Sequence, residues 1–405
     1  MSLCSSCSHS DIEAAAQAAL SSSQLDYPSL ISDSEFEAAA GSLKSKLAPG
    51  NDGLPANVLL FSLPLIKPFL IAILNACVYQ CFFRDCWKIV TITVIWKPKK
   101  DDFSNLSNFR LISLISNLVK FLEKMMLGRL LWFASVNKCL CTSQHGFREN
   151  RSTGTAAHPL VSFIESAFSE KKVCATAFLD INSAFDSAWH SAILTALAGR
   201  GCPSYLLKMV NSFLSKRQAC FVINDHTLKR RIDLGCPQGG VLSLFLWNVL
   251  LDDLFRTSFP FPVKMFGYAN DIGLLVVATT HKDPVIATQY LQLACNSVGN
   301  WFAMRKLFLS AIKTVFVLFS RKAVPLNNLS VDINSVKIYP SLTATFLGLI
   351  FDANLKWANN VQSKFASAKR TMMAVSSCLR LTFGFDAQRL RFLYSTMVEP
   401  SGLLP

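Results

Sequence analysis

The stretch from Val263 to Ala278 constrains the fold of this chain more than any other part of it. Its sequence, VKMFGYANDIGLLVVA, contains two apolar runs around the polar segment Gly267 to Asp271. Two β-rich runs separated by a short segment of this kind predict a hairpin with a tight turn, which holds its acidic side chain on a rigid frame. Asn and Asp are ordinary turn residues, so a solvated turn and a functional acidic tip are both open from this stretch alone.

A second apolar run also ends on an acidic residue. Val173 to Leu179 predicts a buried strand, Asp180 follows it, and the sequence from Ser183 onward predicts a helix. A carboxylate at the end of a buried strand is costly unless it binds a cation or is fully hydrogen-bonded. Two strands that each deliver an Asp to one end of a sheet form a site for hard divalent cations such as Mg²⁺, which phosphoryl-transfer enzymes and polymerases use.

Charge and hydropathy narrow the classes of partner. The 405 residues include 40 Lys and Arg against 26 Asp and Glu, and the formal charge of +14 favours a polyanionic partner such as nucleic acid, with a merely basic protein as the alternative. The longest apolar runs, around Pro68 to Phe83 and Val241 to Leu251, are shorter or more interrupted than the ~20 residues of a membrane span. We therefore expect no membrane partner.

The N-terminus and the cysteines favour an intracellular protein. The first residues show no basic segment followed by an apolar one, so no secretory signal is expected. The 13 cysteines are scattered without paired spacing, which favours reduced thiols and predicts no disulfide-linked partner. Cys4, Cys7 and His9 are spaced for a metal clip, but no second ligand cluster accompanies them and structural zinc is not predicted.

A cluster of turn-forming residues from Ala48 to Gly53 marks the first boundary of the chain. The segment before it is rich in Ser and Ala and predicts a connector with short helices. Leu54 to Trp87 is apolar with helical spacing and is expected to pack as core. Ile89 to Trp96 predicts a strand that leads into the charge run Lys97 to Lys100, which is either a solvated loop, a nuclear-import signal or a loop that contacts phosphates.

Two further segments indicate possible contacts with nucleic acid or nucleotide. Gln144 to Arg148 combines Arg with an aromatic residue, as surfaces that contact a phosphate backbone do. Pro237 to Gly240 forms a turn just before a long apolar helix, so that backbone N–H groups at the helix start face whatever lies over the sheet. Either the Gln238 side chain forms hydrogen bonds with a nucleotide there, or the segment is an ordinary loop between a strand and a helix. Asp252 and Asp253 are expected to form a solvated helix end.

Taken in order, these segments resemble the motifs of the reverse transcriptases of non-LTR retrotransposons, the LINE-type and jockey-like elements. The similarity runs from Ala48 to Pro400. FLDIxxAFD matches Phe178 to Asp186, GxPQGSxLSP is similar to Gly235 to Leu244, and the YADD box falls on Tyr268 to Asp271. The remaining similarities are KAPGPDG at 48–53, PK at 98–99, YRPISLL at 109–114, QHGFR at 144–148, the W…GLxLNxxKT segment at 301–314 and YLGVxxDxxLxW at 346–357.

The resemblance implies an α+β fold, that of a right-hand polymerase whose antiparallel palm sheet packs on helices. It divides the chain into an N-terminal connector at 1–48, fingers with an N-terminal extension at 49–172, a palm with interleaved fingers and helical segments at 173–352, and a partial thumb at 353–405. The implied activity is RNA-directed DNA synthesis, with an RNA template, a DNA primer and deoxynucleoside triphosphates as partners. The implied compartment is the nucleus, the cytoplasm or both.

The resemblance also assigns roles to individual residues. Asp180 and Asp271 are the implied ligands of two Mg²⁺ ions, for which Mn²⁺ is an expected substitute, and Lys313 is the implied proton donor to pyrophosphate. The implied substrate contacts are Phe185, which lies under the sugar and would clash with a 2′-hydroxyl, Gln238 and Gly239 at the nucleotide, and Arg110 and Lys99 at its phosphates.

The departures from the family motifs bear on activity. Asn270 stands where the family has the first Asp of its YADD box, so a site for two dications lacks one negative charge. Electrostatic stabilisation of this kind is worth several kcal/mol, and each ~1.4 kcal/mol changes a rate about tenfold, so we expect activity reduced by orders of magnitude. The sequence also carries further replacements, shows no endonuclease domain before the polymerase motifs and ends inside the expected thumb. Together these features predict a degenerate, truncated copy of a mobile element. The other replaced positions are Leu111, Gly240, Leu244 and Lys306.

Two functions remain open at this point. The chain is either an RNA-directed DNA polymerase of weakened activity or a catalytically dead retrotransposon relic that at most binds nucleic acid. The motifs support the same fold in both cases, so Asn270 is the residue that distinguishes them.

Overall fold

The computed structural model describes residues 8–21, 28–97, 102–105, 108–223, 226–278, 283–326, 328–378 and 387–398. Its helices are α1 His9–Ser21, α2 Asp33–Gly41, α3 Ala56–Tyr79, α4 Asn117–Val136, α5 Thr153–Ser169, α6 His190–Ala198, α7 Ser204–Leu214, α8 Val241–Phe255, α9 Pro284–Met304, α10 Ala358–Cys378 and α11 Ala387–Leu393. Its strands are β1 Ile89–Trp96, β2 Phe109–Leu114, β3 Cys174–Asp180, β4 Arg217–Ile223, β5 His226–Ile232, β6 Val263–Tyr268, β7 Asp271–Val277, β8 Val315–Phe319, β9 Val331–Ile333, β10 Val336–Ile338, β11 Pro340–Ser341, β12 Thr343–Phe346 and β13 Leu349–Asp352. This mixture of helices and sheets confirms the α+β class.

The chain forms two compact units that alternate along the sequence. The first unit comprises residues 1–142, 182–257 and 300–308, and the second comprises 143–181, 258–299 and 309–405. Because each unit is assembled from separated segments, the sequential division into connector, fingers, palm and thumb stays a prediction.

The first unit contains a four-stranded sheet in the order β2-β1-β4-β5. The β-branched run of β1 forms a strand with the predicted bounds, antiparallel to β2 and parallel to β4. At the other edge, β5 pairs with β4 alone, and all its residues from His226 to Arg231 are exposed. The polar, basic sequence of β5 suits a solvated edge that resists pairing with other strands.

The apolar helix α8 is buried in the first unit along nearly its whole length. Its last turn corrects the expectation of a solvated end, because the side chain of Asp252 is only 1% exposed. Arg200 and Arg256 donate to the Asp252 carboxylate at 2.7 and 2.6 Å. A buried carboxylate persists only when it is paired in this way, and helical spacing alone does not reveal such partners.

Helix α3 corrects two expectations for the segment 54–87. It buries one side, including Leu59 and Leu74, but Phe61, Leu65 and Phe69 are 86%, 78% and 73% exposed, so the segment is only half core. It has 24 residues, and a stretch of 18 residues within it has a mean hydropathy of 2.0, so the helix is long and apolar enough to cross a membrane by length and composition. The interruptions at prolines 64 and 68 hid this length in the sequence, yet the helix continues through both. A core helix of a protein that lies outside any membrane can be equally long and apolar, so these two properties alone do not identify a membrane span.

The second unit is built on a five-stranded sheet in the order β11-β8-β3-β7-β6. β3 is antiparallel to both β7 and β8, and β6 is antiparallel to β7, whereas the short β11 is parallel to β8. One face of this sheet packs against α5 and the β12–β13 hairpin, with Phe178, Phe346 and Phe351 in the shared core. The predicted antiparallel sheet packed on helices is thus present, apart from the parallel edge strand.

The hairpin predicted at 263–278 is confirmed as β6 and β7, and the strand predicted at 173–179 is confirmed as β3. The prediction of a helix that begins at Ser183 is wrong. Residues 182–187 form turns, and α6 begins only at His190. Ser183 has a φ of 45°, and this left-handed conformation is incompatible with a helix that starts there. Ser187 N–H donates to the Ser183 carbonyl at 2.9 Å and closes a single turn.

Candidate active site

The centre of the site is a pair of carboxylates on two neighbouring strands. Asp180, the last residue of β3, lies directly opposite Asp271, the first residue of β7. Directly opposed residues of antiparallel strands project from the same face of a sheet. The preceding pair on that face is Phe178 and Gly273, which belongs to the apolar contacts between sheet and α5. The end of β3 and the start of β7 therefore place two carboxylates side by side at one end of the sheet.

This arrangement leaves Asp271 with a strongly perturbed pKa. Burial, and to a lesser extent the neighbouring charge of Asp180, raise the pKa of Asp271 from 3.8 to about 6, while Lys313 opposes the rise. Two carboxylates that resist ionising side by side are stabilised by a cation placed between them. The raised pKa of Asp271 shows that the two neighbouring carboxylates resist ionising together, as two ligands of one cation would.

Two other predicted residues contact the first carboxylate. The side-chain amide of Asn270 donates to Asp180 Oδ1 at 3.3 Å, and the Lys313 ammonium lies 2.8 Å from Asp180 Oδ2. Lys313 is held near β3 because Ser310 N–H donates to the backbone carbonyl of Asp180 at 2.9 Å. The structure therefore brings together all four residues predicted for the catalytic centre, namely Asp180, Asn270, Asp271 and Lys313.

The donor set fits a hard divalent cation but is short of carboxylates. Within the described residues, no group of three or more His, Cys, Asp or Glu side chains converges on one point. Asp180 and Asp271 provide the oxygen ligands that Mg²⁺ prefers, and their mutual repulsion favours a cation. At the third position, Asn270 turns an N–H group rather than an oxygen toward Asp180.

The predicted substrate residues belong to the first unit, where two loops and a strand meet. Gln238 Nε2 donates to both carboxylate oxygens of Asp186 at 3.2 Å, and the Gln238 carbonyl accepts from Ser113 N–H of β2 at 2.7 Å. Gly239 has a φ of 116°, and a Cβ there would lie 2.7 Å from the Ser113 carbonyl oxygen. Only glycine fits this close approach, so the turn before α8 is fixed against β2.

Phe185 is held in the same group of loops. Its carbonyl accepts from Cys236 N–H at 2.8 Å, and its ring packs against Trp247 with centroids 5.5 Å apart. Arg110 is exposed on β2 opposite Ile95. Lys99 lies outside the described residues. Cys4 and Cys7, whose spacing with His9 was considered for a zinc site, also lie outside them.

Sequence reasoning gave no role to Glu123, which supports the turn before α8. Glu123 Oε2, on α4, accepts from the N–H groups of Val241 and Leu242 at 2.6 and 3.1 Å. Gly240, the N-cap residue of α8, has no side chain to do so. Spacing cannot reveal a cap that comes from a helix far away in the sequence, although a Glu inside an apolar helical run was a signal of a buried partner.

The segment 144–148 is only partly exposed: Phe147 is 43% exposed, so that a phosphate contact by Phe147 and Arg148 stays a prediction. Gln144 and His145 are 2% and 4% exposed, so this part of the motif is not a nucleic-acid surface. Its backbone pairs with β6: Gly267 N–H donates to the Ser143 carbonyl at 2.9 Å, and His145 N–H donates to the Gly267 carbonyl at 2.8 Å. The segment is therefore part of the frame around the acidic hairpin.

Comparison with known proteins gives a family match and several relatives. A family model described as "Reverse transcriptase (RNA-dependent DNA polymerase)" matches residues 97–351. The chain is 27% identical over 373 residues to a probable RNA-directed DNA polymerase from transposon BS of Drosophila melanogaster, covering 90% of this chain and 40% of that protein. It is 28% identical over 364 residues to the RNA-directed DNA polymerase from the mobile element jockey of the same species, covering 88% of this chain and 39% of that protein.

The chain thus spans about two fifths of the length of these relatives. Among solved structures, an apo telomerase from Candida tropicalis truncated from its C-terminal domain aligns with a TM-score of 0.47 and 14% identity, covering 66% of this chain and 54% of that chain. At this level the structural alignment adds nothing to the match with the family.

Proposed function

Because the chain belongs to the reverse transcriptase (RNA-dependent DNA polymerase) family, we propose that it is the polymerase domain of a non-LTR retrotransposon protein and extends a DNA primer on an RNA template. Family membership and the α+β architecture agree with the expected right-hand polymerase class. The observation that carries the proposal is the direct pairing of Asp180 with Asp271 at the end of two core strands.

Reverse transcriptases generally use divalent metal ions. We propose two Mg²⁺ ions here, replaceable by Mn²⁺, with Asp180 and Asp271 as their protein ligands. When bound, such ions activate the primer 3′-hydroxyl and neutralise the charge of the triphosphate and the departing pyrophosphate. The protein supplies the paired carboxylates on rigid strands, so that its part in the reaction is chiefly positioning.

Asn270 weakens this site in two ways. It contributes no negative charge, and its N–H group occupies Asp180 Oδ1 at 3.3 Å while Lys313 occupies Oδ2 at 2.8 Å. A divalent ion that binds Asp180 therefore competes with donors of the protein itself. We propose that synthesis by the chain as written is slower by orders of magnitude than with an Asp at position 270, because each ~1.4 kcal/mol of lost stabilisation is about tenfold in rate.

The substrate contacts follow the same assignment. We propose that Gln238 and Gly239 contact the incoming deoxynucleotide, and that Phe185 lies under its sugar and excludes a 2′-hydroxyl. Two hydrogen bonds support this proposal because they fix the backbone of these residues. Cys236 N–H donates to the Phe185 carbonyl, and Ser113 N–H of β2 donates to the Gln238 carbonyl in the turn before α8. Arg110 and Lys99 are proposed to contact phosphates, and the charge of +14 suits a nucleic-acid template and primer.

Lys313 is proposed to donate a proton to the departing pyrophosphate. Its side chain is 63% exposed, so the ammonium is able to leave Asp180 for a phosphate oxygen. The proposed compartments are the nucleus and the cytoplasm, where fluorescence microscopy of the tagged chain would detect it.

The reaction class is tested by primer extension on an RNA template with deoxynucleotides and Mg²⁺, using the chain with Asn270→Asp. Extension is expected, Asp180→Ala in the same chain is expected to abolish it, and Asp332→Ala, an exposed acidic residue on β9 of the same unit, is expected to leave it unchanged. Extension that survives Asp180→Ala would overturn the site assignment. Absence of extension with retained binding of template and primer would favour the alternative, a nucleic-acid-binding relic.

A further inference from the structure

The turn that carries Asn270 has an unusual backbone conformation. Tyr268 and Asp271 are directly paired, so Ala269 and Asn270 form a two-residue hairpin loop. Ala269 has a φ of 59°, in the left-handed region that favours glycine. A shift of one residue in this register would move Asp271 to the opposite face of the sheet, away from Asp180. The geometry of the carboxylate pair therefore depends on keeping Ala269 in a disfavoured conformation.

The side chain of Gln144 contacts both backbone groups of that residue. Gln144 Nε2 donates to the Ala269 carbonyl at 3.2 Å, and Gln144 Oε1 accepts from Ala269 N–H at 3.2 Å. The same oxygen accepts from Gly146 N–H at 3.0 Å. The amide is 2% exposed, so water does not compete for these bonds.

The backbone around Gln144 is fixed as closely as its side chain. The pairing of Ser143 and His145 with Gly267 anchors the segment to β6 immediately before the turn. A Cβ at Gly146 would overlap the backbone nitrogen of Ala269, so only glycine allows this approach. The segment and the turn form one hydrogen-bonded assembly within the second unit.

We propose that Gln144 is a positioning residue for the acidic turn: its amide holds Ala269 in the left-handed conformation and thereby keeps residue 270 and Asp271 in register with Asp180. The role requires a donor and an acceptor at the end of one side chain, which glutamine provides. Glutamate lacks the donor, and methionine has a similar length but forms neither strong bond. The consequence for metal binding rests on the proposed function, whereas the hold on the backbone does not.

The protein offers a matched control for the test. Gln292 on α9 bonds both backbone groups of Asp332: its Nε2 donates to the Asp332 carbonyl at 2.9 Å, and its Oε1 accepts from Asp332 N–H at 2.6 Å. Gln292→Met therefore removes the same kind of contact from a different hairpin, β9–β10. A general loss of stability would affect both variants, and an effect on the acidic turn would affect Gln144→Met alone.

The first experiment is hydrogen exchange of the full chain as written, followed by mass spectrometry of the peptide that spans β6 and β7. Gln144→Met is expected to speed exchange in the turn at least about tenfold while β3 stays protected, because the Ala269 N–H loses the Gln144 oxygen that accepts its hydrogen bond. Gln292→Met is expected to leave the turn unchanged. Unchanged exchange in the turn of Gln144→Met would overturn the proposal.

The second experiment measures Mn²⁺ binding by electron paramagnetic resonance in the full chain with Asn270→Asp. Gln144→Met is expected to weaken binding about tenfold, and adding Ala269→Gly is expected to restore most of it, since glycine adopts a positive φ without support. Weakened binding that Ala269→Gly does not restore would overturn the positioning role. If the parent chain binds Mn²⁺ no better than its Asp180→Ala variant, the metal assignment of the proposed function fails, and hydrogen exchange alone decides the role of Gln144.

Discussion

Asn270, at the position where the family has an Asp, donates a hydrogen bond to the carboxylate of Asp180, one of the two predicted metal ligands. A carboxylate at position 270 would repel Asp180 and require a cation to hold the two together, whereas the amide stabilises Asp180 without one. Since the Lys313 ammonium pairs with the second oxygen of Asp180, both oxygens of this carboxylate have partners within the protein itself. This is the physical basis for expecting a weakened polymerase.

The raised pKa of Asp271 predicts a pH-dependent stability. Its folded pKa of about 6 lies above the ordinary 3.8, so the group contributes stability that is fully present below about pH 4 and lost as the pH rises through 6. At ~1.4 kcal/mol per pH unit, the loss by pH 7 is at most about 3 kcal/mol. In chelator, Asp271→Asn is expected to be more stable than the parent at pH 7 by up to this amount, and equal to it near pH 4. Urea unfolding at both pH values tests this, and parallel pH profiles would contradict it.

Lys313 is predicted to oppose metal binding at Asp180. The Lys313 side chain is 63% exposed. Exposed ion pairs are worth up to about 1 kcal/mol, so removal of the ammonium is expected to tighten Mn²⁺ binding by up to about fivefold. Lys313→Met is the test variant and Lys313→Arg, which keeps the charge, is the control. With Asn270→Asp present, Lys313→Met is also expected to slow primer extension despite tighter metal binding. Equal or weaker Mn²⁺ binding by Lys313→Met would show that the two cations do not compete.

Glu123 is predicted to stabilise the turn before α8. Its Oε2 accepts from the first two N–H groups of the helix, and Glu123 interacts electrostatically with the buried guanidinium of Arg217. Glu123→Ala leaves those donors and that charge unsatisfied, and we expect it to lower the free energy of unfolding by about 3 kcal/mol. Glu123→Gln keeps an acceptor and is expected to lose less. Equal losses in urea unfolding would show that the oxygen does not cap the helix.

The strand ends that carry the site were predictable from sequence because one continuous apolar run stops at Asp180 and another begins directly after Asp271. The same local pattern predicted β1 with its bounds and the turn before α8. These elements are determined by nearby residues, so that local reasoning suffices for them.

Contacts between distant segments were not predictable in this way. Gln144 meets Ala269 across 125 positions of the chain, and Glu123 meets Val241 across 118. The burial of Asp252 depends on Arg200, and the helix expected at Ser183 fails because of a single left-handed residue. In each case tertiary contacts or one backbone conformation override the local preference.

The most direct test of the central claim is the rate of primer extension on an RNA template in Mg²⁺, measured in parallel for the chain as written and for Asn270→Asp. The account predicts that Asn270→Asp is faster by at least about 100-fold, which corresponds to about 2.7 kcal/mol of recovered stabilisation. Equal rates for the two chains would contradict it, because the amide would then serve the reaction as well as the carboxylate.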